Sequence, residues 1–574
     1  MRISVIIPTY NRRDLLSRTL PTVLDQDFPV DGFEVIVVVD GSTDGSVELL
    51  RGFKPSCALR IIEQANQGQA GARNTGIQAA RGELILFLDD DNVCVPSILA
   101  KHFDAHSTAD NIVVFGPVLV HPASSPNVGT DSLRAWTEDY LQCLAREGGP
   151  RFPDQLWIFS NCSILRKTLH ECGGFDESMR TSHEDADLAI RLWKMGSRFR
   201  YHPGAATYQI YVKTPQALAG TEADWYGREE LVLCRKHPEY RPFSCFARIG
   251  EGSWSKRFLR EIAARLPCSP EPILRAPFWL ADSLRWIPPL HQVAMRLFQL
   301  RRRIGIFRGA IRKAGSWRSL RSEFGMRLPV LLYPHVGPPR TDSSSVATIS
   351  PARFARQVRW LARRGYIGIR PSDWLRWLSE GKGLPEKPVL LTFDGAFADL
   401  ADHAFPLLQD HGFGAGVFVV TGQVGGADAG MEGQRVETHR LMTAEQIRYW
   451  ASRGIEFGAH GRTHADLTAL AGDALAGEIA GSRDDLSEIL GTPVVSFAYP
   501  CPSYHWLVRD CVQGAFAMAF TTDEGVNTLR TDPHLLRRTR VASGDSIADI
   551  RYRLHWGGNP LQRLRPRVSL RTGK

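Results

Sequence analysis

Residues 66–91 read NQGQAGARNTGIQAARGELILFLDDD. The first half, from Gln69 to Ala80, spaces small and apolar residues as a helix does. Leu84–Leu88 is a short, unbroken apolar run of the kind buried in a parallel sheet. Three carboxylates, Asp89, Asp90 and Asp91, follow at once. A helix that leads into such a strand predicts an α/β layer whose strands deliver acids to a cleft. Upstream the same grammar repeats. ISVIIPTY (3–10) and FEVIVVVD (33–40) read as strands, and RRDLLSRTLPTVL (12–24) reads as a helix between them. Continued to about residue 240, this alternation implies a mainly parallel sheet with ligands at the carboxyl ends of its strands.

The chain has 574 residues, too many for one core, so two or three domains are expected. A hydrophobic share of 43% and a charged share of 23% exclude wholesale disorder. The ten cysteines form no C-x-x-C pair, which argues against a disulfide framework or cysteine zinc site and fits a reducing compartment. The opening MRISVIIPTYNRR has no long apolar core, so no signal peptide is read there. No apolar run is long enough to cross a bilayer, and the expected address is cytoplasmic.

The net charge of +9 is concentrated. Arg248 to Arg327 carries 17 Lys/Arg against 5 Asp/Glu, a local +12, which leaves about −3 for the rest. This stretch, 245–327, also holds Trp254, Trp279, Trp286 and Trp317. It reads either as a helical linker with a solvated basic face or as a peripheral contact with anionic lipid at the inner face of a membrane. No nucleic-acid-binding module accompanies it, so no nucleic acid partner is expected.

Beyond residue 328 the alternation resumes. LPVLLYPHV, KPVLLTFDG, GAGVFVV, IEFGAH, VVSFAYP and MAFTT are candidate strands, separated by helical runs such as SPARFARQVRWLARRG. About six strand–helix units predict an α/β barrel, either complete or with units missing.

Three acidic features of the first half converge. Asp40 ends a strand and opens the turn DGSTDGS. The Asp89–Asp91 run can hold Mg²⁺ or Mn²⁺, which keeps waters and binds substrate phosphates. HEDADLAIRLW sets Glu184, Asp185 and Asp187 at a helix start, a source of a general base. With SVIIPTYNR, VVVDGSTDGS and SNCSILRKTLHECGGFDE, these stretches resemble the family 2 glycosyltransferases of GT-A fold, a nucleotide-sugar-binding α/β/α sandwich, over residues 1–244. The resemblance implies an inverting transfer from a nucleotide-sugar donor to a glycan or lipid-linked acceptor. By position it implies that Thr9, Asp40 and Asp44 line the nucleotide pocket, with Arg73 and Asn74 beside it. It makes Asp89 and Asp91 the metal-binding D-x-D, and Asp185 the base. Gln209 stands where relatives more often carry a histidine.

In the second half, His460 and His464 lie four apart in GAHGRTHADL, a spacing that on a helical turn shares one face. Two imidazoles and a carboxylate would make a facial ligand set for Zn²⁺ or a similar metal. With LLYPHVG, LTFDGAFADL and SFAYPCPSY in order, residues 328–574 resemble the polysaccharide deacetylases of carbohydrate esterase family 4, a distorted β/α barrel. The family pattern is T-F-D-D-G-Y. Aligned without a gap, Asp394 matches its first acid, the base, and Gly395 replaces the second, a metal ligand; with a gap, Asp394 would be the metal ligand and the base would be lost. Pro334 and Pro502 also depart from the pattern. The resemblance implies a deacetylase fold with impaired chemistry. The alternatives are a working N-acetyl-sugar deacetylase with altered ligands acting on the same glycan, and a non-catalytic glycan-binding scaffold.

Overall fold

The computed structural model describes residues 1–107, 111–147, 159–252, 277–280, 282–338, 348–426, 440–502 and 504–558. The chain divides into two compact units. Met1–Ser244 with Phe258–Ser319 form one, and Cys245–Arg257 with Leu320–Lys574 form the other.

The first unit is built on a seven-stranded sheet. Its members are β1 (Ile3–Thr9), β2 (Phe33–Asp40), β3 (Ala58–Gln64), β4 (Leu84–Leu88), β6 (Ile112–Phe115), β8 (Asn161–Leu165) and β9 (Arg198–Tyr201), in the order β3-β2-β1-β4-β8-β6-β9. The apolar runs read from sequence are its centre: every residue of β1, β2 and β4 is buried. Burial on both faces is why these strands read as unbroken hydrophobic runs. β1, β2, β3 and β4 pair in parallel, but β8 runs antiparallel to both β4 and β6. The mainly parallel expectation therefore needs one amendment. The reversal brings Asn161, at the start of β8, opposite Leu88 at the acid-bearing end of β4.

A small second sheet, β5 (Asn92–Cys94), β10 (Thr207–Gln209) and β7 (Val118–Val120), continues from the acids. β5 and β10 pair antiparallel, with Gln209 opposite Asn92.

Much of the basic stretch belongs to this unit as ordered helix. Pro288–Ala314 packs along the helix Thr221–Lys236, and small residues permit the approach. A Cβ on Gly227 would lie 1.9 Å from the Ile306 carbonyl oxygen, and one on Gly309 would lie 2.0 Å from that of Asp224. Phe298 and Ala294 complete a satellite core with Phe278, Val128 and Ala219.

In the second unit six parallel strands form an arc: β11 (Leu328–Tyr333), β15 (Pro388–Asp394), β16 (Ala415–Val419), β17 (Ile455–Ala459), β18 (Ser496–Ala498) and β19 (Met518–Phe520). The order in space follows the order in sequence. β11 also pairs with β20 (Val526–Asn527) and β21 (Thr539–Arg540), and β14 (Ile367–Gly368) extends beside β15. Phe418 on β16 meets Phe520 on β19, ring centroids 5.3 Å apart. Among the described residues no helix is long and apolar enough to cross a membrane.

Candidate active sites

In the first unit the acids sit at a tight turn. The Asn92 amide donates to the Asp89 carbonyl (3.2 Å), so Asp89–Asp91 fold back between β4 and β5. Their three carboxylates take different surroundings. Asp89 pairs with Arg73 (3.0 Å). Asp90 points to β1, where the Thr9 hydroxyl donates to it (2.8 Å), and burial together with neighbouring Asp91 lifts its carboxyl to about 7. Asp91 accepts from the Gln209 side-chain amide (2.9 Å); burial and then the Asp89 charge raise it to about 6. A buried carboxylate whose ionisation a neighbouring acid opposes is one that a hard divalent cation would relieve. Mg²⁺ or Mn²⁺ fits Asp89 and Asp91 as oxygen donors, with water and substrate oxygens to complete the shell. Gln209 acts as a hydrogen-bond donor to one of those acids, Asp91.

Arg73 gathers the site. It lies on the helix Gly68–Ala79, buried, and its other arm donates to Glu184 (2.8 Å). Its guanidinium also lies over the Phe175 ring, 5.2 Å from the centroid. Burial opposes its charge, but Asp89, Glu184 and Asp185 together hold it protonated. Through this one residue the D-x-D and the HEDAD segment come to the same place. Asp185, partly exposed, is raised to about 7 by burial and then by Glu184 beside it. A carboxylate titrating near neutrality is matched to general-base work.

The turn ahead of Asp185 is set by a residue whose role the sequence did not disclose. His183 adopts φ +67° and its imidazole meets Glu230 at 2.7 Å, both buried. Burial works against the imidazolium, yet Glu230 outweighs it and raises the His183 pKa. Asp187, by contrast, is spent on structure. It pairs with His237, Lys236 and Arg191, and although burial opposes ionisation, these partners hold it well below the usual carboxylate range.

Of the remaining positions, Asp40 ends β2, Asp44 follows it in the loop, and Asn74 lies on the helix beside Arg73. Asp40 accepts from the Gln67 and Gly68 backbone amides and from the Gln64 side chain, each at 2.8 Å. It thereby caps the first turn of the helix that carries Arg73. Asp44 accepts from the Arg13 and Ser46 amides, and these bonds outweigh burial to hold it low. Asn74 clasps the Phe175 backbone through both its amide groups (2.9 Å each). Asp40, Asp44 and Asn74 thus shape loops around the cleft, while Thr9, Arg73, Asp89, Asp91 and Asp185 are tied into the acidic centre.

In the second unit Asp394 ends β15 and His460 directly follows β17. The Arg538 guanidinium, fully buried, donates to Asp394 (2.6 Å). Burial alone would raise Asp394, but Arg538 and then His460 leave it below the ordinary value. The His460 Nδ1–H donates to the Ala498 carbonyl (2.8 Å), which leaves Nε2 as the free lone pair; burial drops its pKa to about 4. His460 and His464 do not share a helical turn, as their spacing had suggested. The chain after β17 is a loop in which Gly461 (φ +78°) and His464 (φ +65°) turn the backbone back. The two rings still meet, with centroids 4.9 Å apart.

The third ligand position is another matter. Gly395 takes φ +93°, and a Cβ there would lie 2.9 Å from the Phe397 ring. Ala396 also sits at positive φ, +52°. The loop is pinned there: the Met442 amide donates to the Ala396 carbonyl, and Phe397 bridges Leu441. Asp399 is turned away to His335, 3.3 Å distant. Among the described residues no three His, Cys, Asp or Glu side chains gather as metal ligands. His460 and His464 thus meet close to Asp394, whose carboxylate is paired with Arg538.

Comparison with known proteins agrees with this division. Residues 4–172 match the model of Glycosyl transferase family 2, and residues 381–515 match that of Polysaccharide deacetylase. An uncharacterized glycosyltransferase of Bacillus subtilis, YfnE, is 30% identical over 250 residues, 35% of this chain and 62% of the relative. The chain thus spans about three-fifths of that relative. A putative polysaccharide deacetylase of the same organism, YxkH, is 25% identical over 228 residues, 40% of this chain and 76% of the relative. Among solved structures, a mannosyltransferase from Pyrobaculum calidifontis in complex with GDP-Man and Mn²⁺ aligns with TM-score 0.35 and 21% identity, over 55% of this chain and 87% of that one. Along this chain, a region that matches the family 2 glycosyltransferase model precedes one that matches the polysaccharide deacetylase model.

Proposed function

We propose that the first unit is an inverting glycosyltransferase that moves a sugar from a nucleotide-sugar donor to a glycan or lipid-linked acceptor at the cytoplasmic side of a membrane. The observation that carries this reading is the Arg73 bridge, which joins Asp89 of the D-x-D to Glu184 beside Asp185. Asp89 and Asp91 would hold Mg²⁺ or Mn²⁺, which when bound neutralises charge on the donor's diphosphate. Thr9, Asp40 and Asp44 are assigned to the nucleotide side of the cleft. Asp185 accepts the acceptor hydroxyl's proton as that oxygen attacks the anomeric carbon opposite the departing nucleotide. One displacement, without a covalent intermediate, inverts the configuration. The base must be ionised, so with a carboxyl near 7 the rate rises with pH through neutrality.

The second unit is assigned as a deacetylase-like module with impaired chemistry that recognises or positions the product. Its grounds are Gly395 in place of the second acid and the Asp394–Arg538 pair. One observation favours a working deacetylase instead: His460 keeps a ligand-ready Nε2 beside His464.

The test is to incubate the full chain and Mn²⁺ with a panel of nucleotide sugars and follow nucleotide release. Asp185→Asn is expected to slow transfer by about a thousandfold while donor binding persists. Transfer by that variant at the parent rate would remove Asp185 from the chemistry. Acetate release from N-acetylated oligosaccharides, abolished by His460→Ala, would favour the bifunctional reading.

A further inference from the structure

Residues 277–313 carry eight Lys/Arg and a single acid, Asp282. Asp282 is turned inward, where its carboxylate accepts the Val128 amide (3.2 Å). The same stretch exposes apolar groups that a water-facing surface has no reason to keep. Trp286 is 76% exposed, Trp279 64% and Leu280 56%. Along the helix Pro288–Ala314, Ala294, Phe298, Arg301 and Ile306 are buried. Val293, Arg296, Leu300 and Arg303 are exposed, and their spacing of three, four and three residues sets them in one stripe. The stripe alternates aliphatic and guanidinium side chains, and it is held rigidly because the helix is locked to its neighbour through Gly227 and Gly309.

This pattern has a specific chemical complement. Indole rings prefer the boundary between head groups and acyl chains. Arginines on the same stripe can lay their methylene stems on apolar surface and lift their charge to phosphate. The exposed guanidinium groups of Arg296 and Arg303 are attracted to an anionic leaflet over about a Debye length. We propose that Trp279, Trp286, Val293 and Leu300, with Arg296 and Arg303, form a docking surface for an anionic phospholipid bilayer, so that the transferase works at the membrane. The proposal deepens the assignment of a lipid-borne acceptor, and it concerns the surface independently of the chemistry.

The full chain should float with vesicles of equal parts phosphatidylglycerol and phosphatidylcholine, stay behind with phosphatidylcholine alone, and be released as salt is raised. Trp279→Ala/Trp286→Ala and Arg296→Glu/Arg303→Glu should each weaken flotation by about tenfold or more. All six side chains are exposed or near the surface, so both variants should keep the parent unfolding transition; should one lose it, Trp286→Ala alone is measured in its place. No flotation, equal flotation with neutral vesicles, or variants that bind like the parent would overturn the proposal. Nucleotide release in water, without vesicles, is measured on the same variants and should be unchanged. Loss of that release in the parent chain would count against the transferase reading, while flotation would still decide the surface.

Discussion

Two turns in this chain begin alike and end differently. Both follow a buried parallel strand that delivers carboxylates, β4 into Asp89–Asp91 and β15 into Asp394. In the first, one arginine is shared. Arg73 serves Asp89 and Glu184 together, and Asp91 is left to an amide donor, its carboxyl raised to about 6. In the second, one arginine serves one acid, and the carboxylate is held low. A carboxylate raised by its neighbours is under a tension that a cation or a proton relieves. A carboxylate with a dedicated guanidinium is already neutralised. The presence of an acid at a strand end is thus a weaker sign of chemistry than what neutralises it.

The sharpest probe of the comparison removes each arginine. Arg73→Gln leaves Asp89 and Glu184 facing each other without a cation, and should cost about 3–5 kcal/mol of stability, the range for breaking a buried pair. Arg538→Gln should cost less, about 2 kcal/mol, because it leaves one carboxylate rather than two without its guanidinium partner. Denaturant unfolding of the full chain reads both, with the transition that moves identifying the unit. The pH dependence adds a sign. Asp394 is depressed in the folded state, so the Arg538 pair contributes above the ordinary carboxylate value of 3.8 and is lost as pH falls below it. In Arg538→Gln that acid-side loss should shrink. Equal costs for the two variants would erase the distinction between a shared and a dedicated arginine.

How far this could be read from sequence follows from burial. Strands buried on both faces announced themselves, and β1, β2, β15 and β16 lie within a residue or two of the apolar runs that foretold them. β3 did not, because at the sheet edge ALRIIEQ is half-exposed throughout and shows no such run. The antiparallel sense of β8 is a property of connection and leaves no mark in NCSIL. Within the site, the acids were legible as residue types, but their partners were not. Glu184 meets Arg73, and His183 meets Glu230, only after the helices pack. The spacing of His460 and His464 was legible and misleading, since a loop with two left-handed residues brings the rings together as well as a helix would. The basic helix Pro288–Ala314 read as a linker because its charge dominates, while the glycines that bury its other face carry no hydropathy signal.

A second probe asks whether the second turn can be made like the first. Gly395→Asp restores the acid in name. The position has φ +93°, and its Cβ would strike the Phe397 ring, so the substitution should cost about 1–3 kcal/mol. It should not yield stoichiometric zinc by equilibrium dialysis, because the new carboxylate starts from a backbone shaped for glycine. One zinc per chain in Gly395→Asp, with none in the parent, would mean that the turn lost only a side chain and kept its geometry.

The smallest effect is the most telling about history. Ala396 occupies φ +52°, at the position where the deacetylase pattern has glycine. For a residue with a Cβ the left-handed region costs about 1–2 kcal/mol. Glycine would remove that cost but forfeit about 0.5–1 kcal/mol through the greater freedom of the unfolded chain. Ala396→Gly should therefore stabilise the second unit by about 0.5–1 kcal/mol, read as a higher denaturant midpoint with an unchanged slope. The backbone has no easy escape, because Met442 and Leu441 hold the turn from the neighbouring strand-like segment. A turn that keeps an alanine in a glycine-type conformation is held by its surroundings. If Ala396→Gly were instead destabilising, the left-handed geometry would be alanine's own accommodation and the surrounding hydrogen bonds would not be what holds it.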